Sequence, residues 1–227
     1  MSSSNKNGSN GFSLLELLIA MVITMALMTA ASTLLANALR VRSRENQKSD
    51  ALADTQRALN VMSREIANAG FNLTGNGIVA ADSGANSIRI RSNLNRYQVE
   101  SDSAVSRDSI MTESEDIKYF VNAADETMYL VRHDPYGNGS TVLANRIDRM
   151  TIHYFDQKVT YTAPPGGYDI IDWSATPVAP ENAKYVVIAI AVTLDAVGQP
   201  GSPGYQPPYT VLLCSDVTLR NTSLWSY

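Results

Sequence analysis

Phe12-Ser13-Leu14-Leu15-Glu16-Leu17-Leu18-Ile19-Ala20-Met21-Val22-Ile23-Thr24-Met25-Ala26-Leu27-Met28-Thr29-Ala30-Ala31-Ser32-Thr33-Leu34-Leu35-Ala36-Asn37-Ala38-Leu39 is the stretch on which the fold turns. Between Glu16 and Arg40 it holds 23 residues without a charge. At about 1.5 Å per residue such a run spans the ~30 Å hydrocarbon core of a bilayer with a few ångströms spare. A cleaved secretory signal is a poorer reading. Lys6 and Ala36-Asn37-Ala38 loosely fit its ends, but its apolar core is about 7–15 residues and carries no glutamate. A buried helix of a soluble domain would show a polar stripe, and Ser13, Thr24, Thr29, Ser32, Thr33 and Asn37 make none of note.

Working outward, neither Gly nor Pro occurs from Phe12 to Ala69, and Gly70 then offers a C-terminal stop. The sequence predicts one helix over about 58 residues, roughly 87 Å long. Its outer half is amphipathic: Leu52, Leu59 and Ile66 recur every seven residues, with Thr55, Met62 and Ala69 three after each. Three heptads with weak second positions point to packing on the chain's own C-terminal domain rather than to a coiled-coil dimer.

After Gly70 the period changes to two. Strands are predicted at 86–91, 117–121, 127–133, 150–155, 158–162, 185–194 and 209–219, separated by Gly, Asn, Asp and Pro clusters. Residues 117–121 and 127–131 predict a hairpin with a five-residue loop. In 186–192, bulky Val186, Ile188, Ile190 and Val192 alternate with small Ala189 and Ala191, the pattern of a central strand under a close-packed helix. The fold class expected is α+β: a long N-terminal α-helix, membrane-spanning and then amphipathic, packed on a mainly antiparallel β-sheet head. The divisions expected are 1–11, 12–39, 40–70 and 71–227.

Composition narrows the chemistry. The 227 residues carry 18 basic and 22 acidic side chains, a net charge of -4, with one cysteine, Cys214, and two histidines, His133 and His153. Neither an internal disulfide nor a Cys/His zinc site is available within the chain. Residues 71–227 carry 11 basic and 17 acidic groups, so the head should repel nucleic acid. No G-x-S-x-G, H-E-x-x-H, Walker or G-x-G-x-x-G motif is present. An enzyme, a cofactor and a metal are not expected. The histidines read as sheet residues, and Asp134-Pro135-Tyr136-Gly137-Asn138-Gly139 reads as a turn without the spaced carboxylates of a calcium loop. Glu113, Glu115 and Asp116 read as a solvated acidic face, residues 198–208 as an exposed Pro/Gly loop suited to a partner contact, and Cys214 as a buried thiol.

Ser9-Asn10-Gly11-Phe12-Ser13-Leu14-Leu15-Glu16, running on to Met21, closely resembles the processing site of type IV prepilins and type II secretion pseudopilins. The resemblance implies a leader at 1–11, cleavage between Gly11 and Phe12 by a prepilin peptidase, N-methylation of Phe12, and an assembly role for Glu16. Glu16 is a functional candidate on physical grounds as well, because an ionised carboxylate in lipid costs about 2.5–3.5 kcal/mol. Cleavage would free an amine at Phe12, one helical turn away on the same face, for pairing within the chain or with a neighbouring subunit's Glu16. Arg40, Arg42 and Arg44 directly after the span argue, by the positive-inside bias, for a cytoplasmic head. The resemblance implies the opposite orientation, with the arginines at the outer headgroups or facing acidic neighbours.

Residues 62–71, the hairpin within 117–132, and Val217-Thr218-Leu219-Arg220-Asn221 are similar to W-type minor pilins and the related J-type pseudopilin. The run departs from major pilins in lacking the proline and glycine they commonly carry in the membrane helix, and the chain lacks their C-terminal cysteine pair. The resemblance therefore implies a minor pilin that primes type IV pilus assembly, placed at the tip or elsewhere. Its implied partners are other minor pilins, the major pilin, the peptidase and an inner-membrane assembly platform, with the head in the periplasm. Two alternatives stay open: a J-type secretion pseudopilin, and a binding domain or enzyme on an uncleaved membrane tether. The mass of the N-terminal peptide from membrane-extracted protein tests the processing step. A chain starting at methylated Phe12 is expected only in cells with active peptidase, and an intact Met1 in such cells contradicts it.

Overall fold

In the computed structural model, residues 12–94, 112–124, 127–137, 139–145, 147–202 and 204–222 are described. Helix α1 spans Leu14–Ala67, 54 residues without a break. From residue 14 to 36 every side chain is exposed, and mean hydropathy in the most apolar window is 2.2. The hydroxyls in this bare half turn back on their own helix: Thr24 donates to the Ala20 carbonyl, Thr29 to Met25 and Thr33 to Ala30, each at 2.8 Å. A polar oxygen satisfied in this way needs no water, which suits an apolar solvent.

The distal half behaves differently. Thr55, Ala58, Leu59, Met62, Ile66 and Ala67 are buried, with Leu52 half-buried beside them. The face with seven-residue periodicity is the one that packs on the chain's own head, as its spacing predicts. The helix stops at Asn68, and its last carbonyls find partners in the C-terminal segment: Arg220 N–H donates to Ala67 O at 3.2 Å, and Asn221 Nδ2 donates to Asn68 O and Ala69 O at 3.2 and 3.1 Å. Orphan carbonyls at a helix end are thereby capped from 150 residues away in sequence.

Beyond the helix, Gly70 and Gly77 pinch the chain into a closed loop. Both have φ near +75°, Gly70 N–H donates to Arg91 O at 2.9 Å, and Arg91 N–H donates to Gly77 O at 2.7 Å. A β-carbon on Gly77 would lie 2.0 Å from Gly70 N, so only glycine fits there.

Among the described residues seven strands follow, in two antiparallel sheets. One is β1 (Ser87–Arg91), β2 (Asp116–Ala124), β3 (Thr127–Asp134) and β4 (Gly139–Ala144), in that spatial order. The other has β6 (Tyr185–Leu194) between β5 (Arg149–Phe155) and β7 (Tyr209–Thr218). The layout is α+β, with α1 packed against β4, β6 and β7. The first eight residues of β6 are all buried. Its bulky side, Val186, Ile188, Ile190 and Val192, joins Leu59, Met62 and Ile66 of the helix and Ile88, Tyr119 and Leu130 of the first sheet in one core. Its other side, with Tyr185, Val187 and Ala189, packs with Phe155, Val159 and Ile170 in a second cluster.

Three sequence expectations are corrected. The stretch 158–162 is no strand: Thr162 makes one bridge to Ile171, and Val159 and Ile170 instead form an apolar lid on the outer face of β6. Its β-branched pattern reflects burial, not pairing. Strand β4 escapes sequence reading because half of its six residues are exposed and its pairing with β3 shifts register at Leu130/Val131. The β2–β3 hairpin is tighter than expected, pairing Ala124 with Thr127, so two residues rather than five separate the strands.

Met62 is fully buried where helix and both sheets meet. Met62→Ala is expected to lower unfolding stability by about 2–5 kcal/mol, measured by denaturant titration of the full chain in detergent.

Candidate functional site

The N-terminal site begins at the first turn of α1. Ser13 is the N-cap, its hydroxyl accepting from Leu15 N–H at 3.3 Å, while Glu16 Oε2 accepts the Ser13 N–H at 2.9 Å. The two residues form a capping box, whose Ser-x-x-Glu signature is present in the sequence and adds a local role to Glu16. The carboxylate lies at the positive end of the helix dipole. Phe12 is 88% exposed beside it. Gly11 and the rest of 1–11 lie outside the described residues. The arrangement leaves a carboxylate beside the position where cleavage after Gly11 would place an amine.

The second element is the junction where the bare helix meets the head. Asn37 is the first helix residue that is half-buried, and one heptad later Arg44 is 7% exposed. Arg44 donates through Nη1 to Gln206 Oε1 at 2.8 Å and through Nη2 to the Pro207 carbonyl at 2.7 Å. Arg40 and Arg42 stay exposed. One reading changes as a result. Arg44 is no headgroup or neighbour contact, because Gln206 and Pro207 of the loop 196–208 sequester it. The described residues of that loop are mostly exposed, as its composition predicts, and it docks beside residues 37–44, at the end of the head nearest the apolar run.

The third element ties the helix to the first sheet by charge. Tyr119 of β2 donates its hydroxyl to Glu65 Oε2, and Arg132 of β3 reaches Glu65 Oε2 at 3.1 Å and lies 3.6 Å from Asp134. Burial, reinforced by the Glu65 charge, pushes the Tyr119 phenol well above its ordinary value, so it stays a donor. Of the acidic cluster, Glu113 is exposed, but Glu115 and Asp116 are each 1% exposed, which overturns the solvated reading for both. Glu115 accepts from Leu94 N–H at 2.7 Å and Thr112 N–H at 3.1 Å. Asp116 takes a two-pronged bond from Arg89 at 2.7 and 2.8 Å and a third from Arg91 at 3.0 Å. Burial works to raise its pKa, and Arg89 with Arg91 outweighs burial and holds the carboxyl below its usual range. Lys118, then Arg89, holds Asp82 low in the same way.

The remaining candidates are structural. His133 Nδ1 meets Ser140 Oγ at 3.0 Å on the surface, and His153 Nε2 meets Asp169 Oδ1 at 2.8 Å beneath Trp173. Asp134 is buried and accepts from Ser114 and Tyr136 N–H groups at 2.8 and 3.1 Å, so its oxygens hold a turn. Cys214 is half-buried, and burial, then the Asp169 charge, pushes its thiol up to about 11, far from nucleophilic. Among the described residues no three His, Cys, Asp or Glu side chains converge on a metal-sized site. A cleft of about 690 Å³ between the 72–79 loop, Arg91, Asn93 and Glu181 is lined, among the described residues, by no His, Ser or Cys.

Comparison with known families agrees with the N-terminal geometry. Residues 6–32 match the family described as the prokaryotic N-terminal methylation motif. That match, on a long apolar helix followed by an antiparallel head, makes the N-terminal region type IV prepilin-like, and points to a membrane-anchored structural subunit of the pilin or pseudopilin kind. No curated protein and no solved structure matches the chain.

The buried charges set an acid limit. Carboxylates held below their unfolded value of about 3.9 stabilise the native state fully above that value, and the contribution is lost as pH falls through the depressed folded values. Asp116→Asn is expected to cost about 1.5–3 kcal/mol at pH 7 and to flatten the fall in stability between neutral and acid pH. Urea midpoints across that range check both.

Proposed function

We propose that this chain is a minor pilin of a type IV pilus. The observation that carries the reading is the coincidence of a methylation motif at 6–32 with a 54-residue helix whose first half is bare and whose second half is locked into its own head. A subunit built this way needs an apolar surrounding for residues 12–39: first the inner membrane, then the packed helices of a filament.

In this reading residues 1–11 are the leader, the peptidase cuts between Gly11 and Phe12, and Phe12 is methylated. Residues 40–70 form the head-bound half of the helix, and 71–227 the head, held in the periplasm. Glu16 works by pairing. Inside the precursor the Ser13 N–H partly satisfies it, and after cleavage the new amine of Phe12 offers a full countercharge, within the chain or across a subunit boundary. Pairing across the boundary fixes the axial register of one helix against the next. Departure from the major-pilin pattern supports a low-copy subunit that joins other minor pilins and the assembly platform to prime the filament. Should it cap the tip, the surface offered is the distal end of the head, built by the 70–79 loop and the turn Pro180–Asn182.

Glu16→Ala is expected to abolish or disorder assembly while leaving the head folded. Electron microscopy of surface filaments and twitching assays read the outcome, and normal piliation contradicts the mechanism. A deletion strain that keeps pili but loses secreted hydrolase activity would move the chain to the type II secretion pseudopilins. Full function without cleavage would make it a tethered domain.

A further inference from the structure

From Ala196 to Ser215 the chain carries no charged residue, the longest such run outside the apolar helix. It includes the loop between β6 and β7. That loop is internally bonded: Val197 and Gln206 exchange N–H···O bonds at 2.9 and 3.0 Å, and Ser202 and Tyr205 close a turn by donating to Gln199 and Ser202 carbonyls at 3.0 and 3.1 Å. Self-satisfied backbone tolerates a poorly hydrated layer far better than open loop does.

The loop's position along the helix is fixed by two contacts. A β-carbon on Gly204 would lie 3.5 Å from Asn37 Cγ, so loop backbone rests on the Asn37 side chain. One heptad on, Arg44 clamps Gln206 and Pro207. Depth along the helix then follows from the rise per residue. If Leu14 marks the inner edge of the hydrocarbon core, Asn37 stands about 35 Å away, Arg40 about 39 Å and Arg42 about 42 Å. The core ends near 30 Å, and the headgroup layer extends about 5–8 Å beyond it. Gly204 therefore stands level with the outer headgroups, with exposed Arg40 at their outer rim and exposed Arg42 a few ångströms beyond it. Tyr205, half-buried, and Tyr209, 50% exposed, add the residue type that settles at such interfaces.

We infer that the loop 196–208, strutted by Arg44, is the foot on which the head stands on the phospholipid headgroups of the leaflet it faces. This inference rests on the membrane-anchor reading and adds a lipid contact surface to it. The foot fixes how far the helix sinks and holds the head at one height above the bilayer. It is also the lipid contact that must be given up when the subunit leaves the membrane. An acidic loop here would be held off an anionic headgroup layer, and an unclamped one would swing into water.

The test uses the full chain in a Cys214→Ser background, reconstituted in vesicles of phosphatidylethanolamine and phosphatidylglycerol. A fluorescent thiol label is placed singly by Ser202→Cys in the loop, Asn182→Cys at the distal end of the head and Ala31→Cys within the helix. Quenching by headgroup-nitroxide lipids is expected to be several-fold stronger for the Ser202 label than for the Asn182 label. Adding Arg44→Met is expected to bring the loop label down towards the Asn182 level while the Ala31 label stays accessible to acyl-chain nitroxides. With Ala31 deep, equal quenching at 202 and 182 overturns the foot. With Ala31 also out of reach, the membrane span itself is rejected. Unchanged Ser202 quenching in Arg44→Met overturns the strut.

Discussion

One unbroken helix has to satisfy two solvents, and the rest of the structure follows from that constraint. Its first half is apolar on every face and exposed along its whole length among the described residues, whereas its second half is apolar along a single stripe. A continuous backbone cannot hide the first half by folding back, since no glycine or proline interrupts it before Gly70. The head is thus restricted to the distal half. There its central strand β6 presents four branched side chains to the core shared with the helix and turns Tyr185, Val187 and Ala189 to the far side. Each of Leu59, Met62 and Ile66 contributes about 1.5–3 kcal/mol by burial. The bare half remains available for a membrane or for other helices.

Charge does different work at the two ends of the head. At the distal end, Glu65 of the helix is gripped by Tyr119 and Arg132 from the first sheet, and Asp116 neutralises Arg89 and Arg91 across β1 and β2. Asp116 and Tyr119 are buried and their partners only partly exposed, so losing a partner of Asp116 leaves a buried charge short of compensation, and the network fixes how the sheet sits on the helix. At the proximal end Arg44 meets only an amide and a carbonyl among the described residues, which anchors the β6–β7 loop without drawing a carboxylate toward the bilayer. The distribution is coherent with a subunit whose lower end faces lipid and whose upper end faces water.

Glu16 unites local and collective roles. As the third helical residue it closes the capping box with Ser13, a device that starts the helix in any solvent. In lipid the same carboxylate is far from its preferred surroundings, and a freed N-terminal amine is the nearest cation the proposed processing can supply. Helix initiation, processing and register thereby converge on one turn of chain.

The helix, its length, its apolar and amphipathic halves, its prepilin-like start and the central strand β6 were legible in the sequence, because each depends on a local period or on nearest neighbours along the chain. The seven-residue spacing of Leu52, Leu59 and Ile66 likewise named the packing face. Other features required the folded chain. Glu115 and Asp116 look solvated in sequence and are buried, because their partners Arg89 and Arg91 of β1, and Leu94 just after it, arrive from more than 20 residues upstream. Residues 158–162 look like a strand and form a lid, because burial and pairing leave the same β-branched signature. Arg44 reads as one more basic residue flanking the span, and only the return of the chain at Gln206 makes it a clamp. Periodicity is a one-dimensional property that a sequence carries openly. Which charge meets which, and what a loop leans on, are set by contacts 20 to 160 residues apart that exist only after the core has formed.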